Sequence, residues 1–304
     1  MKTSRLYLII PILTLAFASC EEKFSDSIFE DVPALNVDST TYTYEFDKWL
    51  YENYTVPYNI QFLYKLEDLG SDFDYNLVPA SYEKAQQVAH LAIYLWFDVY
   101  KKVVGPDFLK QYGPRIIHLI GSYAINPSQG TIKLGTAEGG AKITLYGMNP
   151  MDATNIDDLN QFIFHTMHHE FAHILHQTKT YPKTYETITS ETYDPVSWST
   201  RSEKTANELG YVTNYASMQA REDFVEVISC YITYTDSAWN SVLTQAAEGK
   251  IDDQTTGRDI IEQKFAICKT WLADKWNIDI EELRREVQYR QSHMDLEKVM
   301  NDEY

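Results

Sequence analysis

Five residues, His169-Glu170-Phe171-Ala172-His173, carry the types and spacing for metal chemistry. Residues four apart on an α-helix lie one above the other on one face. His169 and His173 can therefore present two imidazoles to one ion. Glu170 projects from the neighbouring position, where a carboxylate reaches a water held by that ion. Three more histidines flank the pattern in the run His165-Thr-Met-His-His-Glu-Phe-Ala-His-Ile-Leu-His176. His176 lies about 10 Å up a helix from His169 at the usual rise per residue. It is read as a core or supporting histidine, and His165 and His168 are read the same way.

The pattern needs a helix to work, and the flanking residues supply one. Thr154 or Asn155 is a cap, Asp157 and Asp158 fill the first turn, and Pro182 forbids continuation. Leu159, Phe162, Ile163, Met167, Phe171, Ile174 and Leu175 recur at helical spacing, giving the helix a face to pack on a core. Upstream, Tyr58–Tyr64 alternates as a strand, and Ser81 opens a long helix to about Val104, closed by Gly105-Pro106. Arg115–Gly121 and Ala141–Gly147 read as further strands, with a glycine-rich turn, Gly135-Thr-Ala-Glu-Gly-Gly140, before an edge strand at Lys142–Tyr146. Beyond residue 199 the pattern is almost entirely helical, near 201–210, 219–234, 258–274 and 279–301. The order predicts an α+β, mostly helical fold: a small twisted sheet with the HExxH helix, then a helical C-terminal half.

A catalytic zinc site needs a third protein ligand and an open position. The metzincin spacing is excluded, because His176 and Lys179 stand where Gly and His are required. A carboxylate from a later segment is expected, with Glu186, Glu191, Glu208, Glu222, Asp223 and Glu226 as candidates. Residues 181–200, rich in Thr, Ser, Pro and Tyr, read as loop. Glu222 and Glu226 instead sit one turn apart on a predicted helix whose other side carries Phe224, Val225, Val227 and Ile228. That suits a metal ligand at Glu222 and, at Glu226, a carboxylate that orients a ligating imidazole. The alternative is a solvated acidic pair.

The Tyr215, Glu222, Glu226 spacing downstream of HExxH resembles the anthrax lethal factor type and the Pro-Pro endopeptidases. The resemblance implies Glu222 as third zinc ligand and Tyr215 as donor to a tetrahedral intermediate. Over most of its length, with the Gly135–Gly140 run and HEFAHILH, the chain resembles the substrate import-associated zinc metallohydrolase lipoproteins. These are zincin-like proteins associated with TonB-dependent outer-membrane uptake, whose activity is itself inferred from the motif.

The N-terminus fits that resemblance. Met1-Lys-Thr-Ser-Arg5 is basic, Leu6–Phe17 is apolar but too short to span a bilayer, and Ala18-Ser-Cys20 ends it like a lipobox. The reading is a signal peptide over 1–19, lipidation at Cys20, a polar tether over 20–40, and one zincin-like domain over 41–304. That domain divides into a sheet and helix part, 41–180, and a helical part, 181–304. Glu21-Glu22 resembles the export tag of surface lipoproteins in Bacteroidetes-type cells, which implies an outer-membrane, surface-exposed location. A formal charge of −18 argues against nucleic acid and polybasic membrane contact. Cys230 and Cys268 could pair in an oxidising compartment or be two small buried residues in helices, and the second reading is favoured.

Two functions remain open on the sequence. One is a zinc metallopeptidase: His169, His173 and Glu222 hold Zn²⁺, Glu170 moves the proton and Tyr215 stabilises the oxyanion of a peptide or protein substrate. The other is an accessory or substrate-binding lipoprotein of a TonB-dependent transporter, with a structural or degenerate zinc site. The same site would also serve a non-peptide amide or ester.

Overall fold

Four short strands make the sheet that everything else leans on. In the computed structural model, which describes residues 38–66, 75–126 and 130–304, they run β1 (Gln61–Leu63), β2 (Ile116–Leu119), and two later strands. A separate antiparallel pair, β3 (Ala124–Ile125) and β4 (Ile132–Lys133), follows β2. Then come β5 (Gly135–Glu138) and β6 (Lys142–Leu145), completing the main sheet in the order β1-β2-β6-β5. The first three of these neighbours are parallel and β5 is antiparallel to β6. Phe62, Ile117 and Ile143 align across the sheet and are buried, as are Leu119 and Leu145. The signal peptide, Cys20 and the tether lie outside the described residues, apart from the end of the tether.

Two sequence expectations shift here. The glycine run is not all turn: Gly135–Glu138 is a strand, and Gly139, Gly140 and Ala141 turn the chain. Both glycines of the turn have positive φ, 58° and 68°, which suits the tight hairpin from β5 to β6. In consequence Lys142–Leu145 is interior, flanked by β2 and β5, and β5 is the edge.

The long helix starts where expected. Ser81 caps it, accepting from the Lys84 amide, and Tyr82–Ala92 continues through a wide turn at Ile93–Phe97 into Asp98–Val103. The motif helix, His165–Thr178, is led in by Ile156–Leu159, whose Asn155 cap accepts from the Asp157 amide. A cap of this kind contributes about 1 kcal/mol. The two helices meet through rings: Phe171 packs edge-on against Trp96 and Tyr100 at 5.0 Å each. Tyr100 also reaches His168 Nδ1 at 3.1 Å, so that histidine is part of this buried layer, as expected of it. Truncating a ring such as Phe171 would cost about 3–5 kcal/mol.

In the C-terminal half, an acidic helix, Ala220–Thr233, lies against the motif helix and against Gly257–Trp276 and Ile280–Ser292. An intervening helix, Asp236–Ala246, was not expected from the sequence; its Thr235 cap accepts from the Ala238 amide. The region 279–301 is two helices, not one, because the chain breaks after Ser292 and restarts with an Asp295 cap before Leu296–Met300. Cys230 and Cys268 are both free and buried.

Glu286 links the halves by accepting from Lys102 and from Arg290. Burial works to raise its carboxyl, but these two cations hold it below its ordinary value of 4.5. A depressed carboxylate contributes stability above its unfolded pKa and loses it as pH falls through the folded one. The wild-type urea midpoint should therefore drop on acidification below about pH 4.5, and Glu286→Gln should flatten that part of the profile.

Candidate active site

The motif helix turns His169 and His173 toward the acidic helix, and their Nε2 atoms converge on a single oxygen. Glu222 Oε2 lies 2.9 Å from His173 Nε2 and 3.3 Å from His169 Nε2. All three residues are buried, and their ligand atoms lie within 4.8 Å of one another. Glu186 and Glu191, the loop alternatives, are not in this cluster.

Each imidazole is oriented through its other nitrogen. His169 Nδ1–H donates to Glu226 Oε1 at 2.7 Å. His173 Nδ1 lies 2.9 Å from His176 Nε2, which makes His176 the supporting histidine rather than a ligand. Burial, with His173 beside it, pushes the His176 imidazole down to about 4, so it is neutral and able to accept. Such outer contacts fix the ring and its tautomer. Glu226 is held in turn. His165 Nε2 donates to Oε1 at 2.8 Å and Thr213 Oγ1 to Oε2 at 2.7 Å. The sequence reads His165 as a core or supporting histidine, and it does support Glu226; which group it supports depends on the facing helix.

The electrostatics suit a cation. Burial works to lower the His169 imidazole, but the facing Glu222 and Glu226 raise it to about 10. Burial would raise Glu222, yet hydrogen bonds from the two imidazoles hold it well below the carboxylate range. A field that retains a proton so strongly between carboxylates also favours a divalent ion in the proton's place. The donor set of two imidazoles and one carboxylate fits zinc with one open position.

Three further groups border the cluster. Glu170 lies under β5, with the Ala137 amide among its partners, and burial pushes its carboxyl up to about 7 despite the opposing pull of His169. Gly135 makes this approach feasible: a Cβ there would sit 2.4 Å from Thr166 Cγ2 and 3.0 Å from Glu170 Oε1. The Tyr215 hydroxyl donates to Glu222 Oε2 at 3.2 Å, and its ring packs edge-on against Trp198. Burial and then Glu222 raise the phenol, which stays protonated. Asp223, beside Glu222 in sequence, points the other way into a fully buried ion pair with Lys264 at 2.6 Å. Tyr193 donates to the same carboxylate oxygen, and Lys264 also reaches the Gly210 carbonyl. A hollow of about 270 Å³ between Trp239, Phe265 and Arg284 shares no residue with the cluster.

An HExxH helix under an antiparallel edge strand, faced by a carboxylate from a second helix, is the architecture of zinc-metallopeptidase folds. The chain belongs to the family described as "Putative zinc-binding metallo-peptidase", whose model matches residues 39–281. It is similar to a solved "putative zinc-binding metallo-peptidase from Bacteroides caccae ATCC 43185". Identity is 39%, the TM-score is 0.69, and the match covers 90% of this chain and 100% of that one. No curated protein matches the chain.

Glu226→Gln tests the support of His169. It should retain zinc but weaken it about 10–100-fold, measured by competition with a chromophoric chelator. Unchanged affinity would show that the Glu226–His169 contact does not tune the site.

Proposed function

We propose that the protein is a zinc-dependent hydrolase of peptide bonds. The observation that carries the reading is the convergence of His169, His173 and Glu222 beside a raised Glu170 and a protonated Tyr215. In this reading His169, His173 and Glu222 hold Zn²⁺. The ion supplies Lewis acidity, polarising a carbonyl and lowering the pKa of its water toward 7.

The chain's own groups do the rest. Glu170, poised near neutrality, takes the proton of the attacking water and delivers it to the leaving amine. Tyr215 Oη, which has its proton at working pH, turns from Glu222 to donate to the developing oxyanion. The outer edge of β5 would offer backbone groups to an extended peptide, which would lie over Glu170. This replaces the pairing expected at Lys142–Leu145, whose two edges are taken by β2 and β5. Among the described residues three protein ligands converge, which favours a catalytic centre over the accessory role with a structural zinc.

We also propose that the enzyme acts at the cell surface, lipidated on Cys20 and serving an outer-membrane uptake system. The leader and the Cys20 motif support that placement. Among the described residues no helix is long and apolar enough to cross a membrane. Loss of palmitate labelling in Cys20→Ser would be the expected result.

Glu170→Gln should keep one zinc per chain and lose hydrolysis of a peptide library by about 10²–10⁴-fold in kcat. Full turnover in that variant would sink the mechanism. Tyr215→Phe should lower kcat by about 10²-fold or more with little change in KM.

A further inference from the structure

The motif helix and the acidic helix face each other through matching ladders of donors. Beside the cluster already described, one turn along, stand His165 on one helix and Glu226 and Cys230, four residues apart, on the other, with Tyr234 just past its end. We propose that His165, Glu226 and Cys230 form a second metal site, taking zinc or a softer divalent ion, whose occupation inhibits the enzyme. The inhibitory part rests on the function proposed above; the metal site itself does not.

The geometry is close to what a metal requires. The ligand atoms of the three residues lie within 4.8 Å of one another. Cys230 Sγ is 3.8 Å from Glu226 Oε2, near the edge of a tetrahedron built on zinc bonds, about 3.5 Å. His165 Nε2 and Glu226 Oε1, at 2.8 Å, need to part by roughly half an ångström to admit an ion. Glu226 and Cys230 are buried, while the His165 side chain is 23% exposed and gives access from solvent. Hydrogen bonding leaves part of this set unused. His165 Nδ1 is buried with no hydrogen-bond partner among the described residues; the Cys230 thiol makes a long contact to Glu226 and also bonds Tyr234.

A thiolate, an imidazole and a carboxylate favour zinc or cadmium over calcium and magnesium. On coordination the thiol releases its proton to solvent. Glu226 would then share its charge with the second ion, weakening its hold on His169 Nδ1. A further positive charge would also stand about one helical pitch, 5.4 Å, from the first site. Excess metal should therefore lower turnover about tenfold or more.

Cobalt titration of the metal-stripped full chain tests this without relying on activity. Two equivalents are expected, with a near-ultraviolet thiolate-to-cobalt charge-transfer band growing only with the second. Cys230→Ser and Cys230→Ala should lose that band and the inhibition by excess zinc, while keeping the first equivalent and the activity measured with it. Binding of one equivalent alone, or of two without a thiolate band, would overturn the second site. Equal zinc inhibition in wild type and both variants would overturn its regulatory role. Failure of the catalytic reading shows separately, as absent peptide hydrolysis at one equivalent while the band still forms at two.

Discussion

Two buried glutamates facing a row of imidazoles are the constraint on which the rest of the structure depends. An unpaired carboxylate in a protein interior costs several kcal/mol. Glu222 and Glu226 are 7% and 3% exposed, so each needs donors in place. His169 bridges the two carboxylates through its two nitrogens, His173 completes Glu222, and His165 with Thr213 completes Glu226. None of these contacts survives rotation or sliding of either helix. The opposite face of the motif helix is accordingly locked by Phe171 against Trp96 and Tyr100. Apolar packing on one side thus maintains polar register on the other.

The edge strand imposes a second constraint. Backbone passes closely over Glu170, and Gly135 lets the strand do so. The same closeness removes water from the carboxyl and lifts it toward neutrality. The placement of the edge strand and the raised carboxyl of Glu170 are consequences of one contact between a strand and a helix.

Much of this was legible in the chain. The spacing of His169 and His173 and that of Glu222 and Glu226 predict which side chains share a face, and the structure brings the two faces together. The helix starts at Ser81 and Asn155 were readable from side-chain chemistry. What escaped has physical reasons. Gly135-Thr-Ala-Glu138 has little strand propensity of its own, and pairing with β6 imposes its conformation. Asp236–Ala246 is polar on much of its surface and declares itself mainly through its cap. Lys264 looks like any solvated lysine, yet it is fully buried, because its partner Asp223 is distant in sequence. The role of His165 depends on what stands across from it, which local pattern does not reveal.

That buried pair has an evolutionary consequence. Lys264 gathers Asp223, the Gly210 carbonyl and the ring of Tyr211 around one ammonium group, with Tyr193 closing on the same carboxylate. Tyr193 and Tyr211 belong to the segment leading from the motif helix to Tyr215. Change in this segment is therefore coupled to Glu222, the neighbour of Asp223 and the third corner of the candidate metal cluster. Val196, exposed on the same segment and absent from the ion-pair cluster, is freer ground for change, whereas the half-buried Trp198 is tied to the Tyr215 ring.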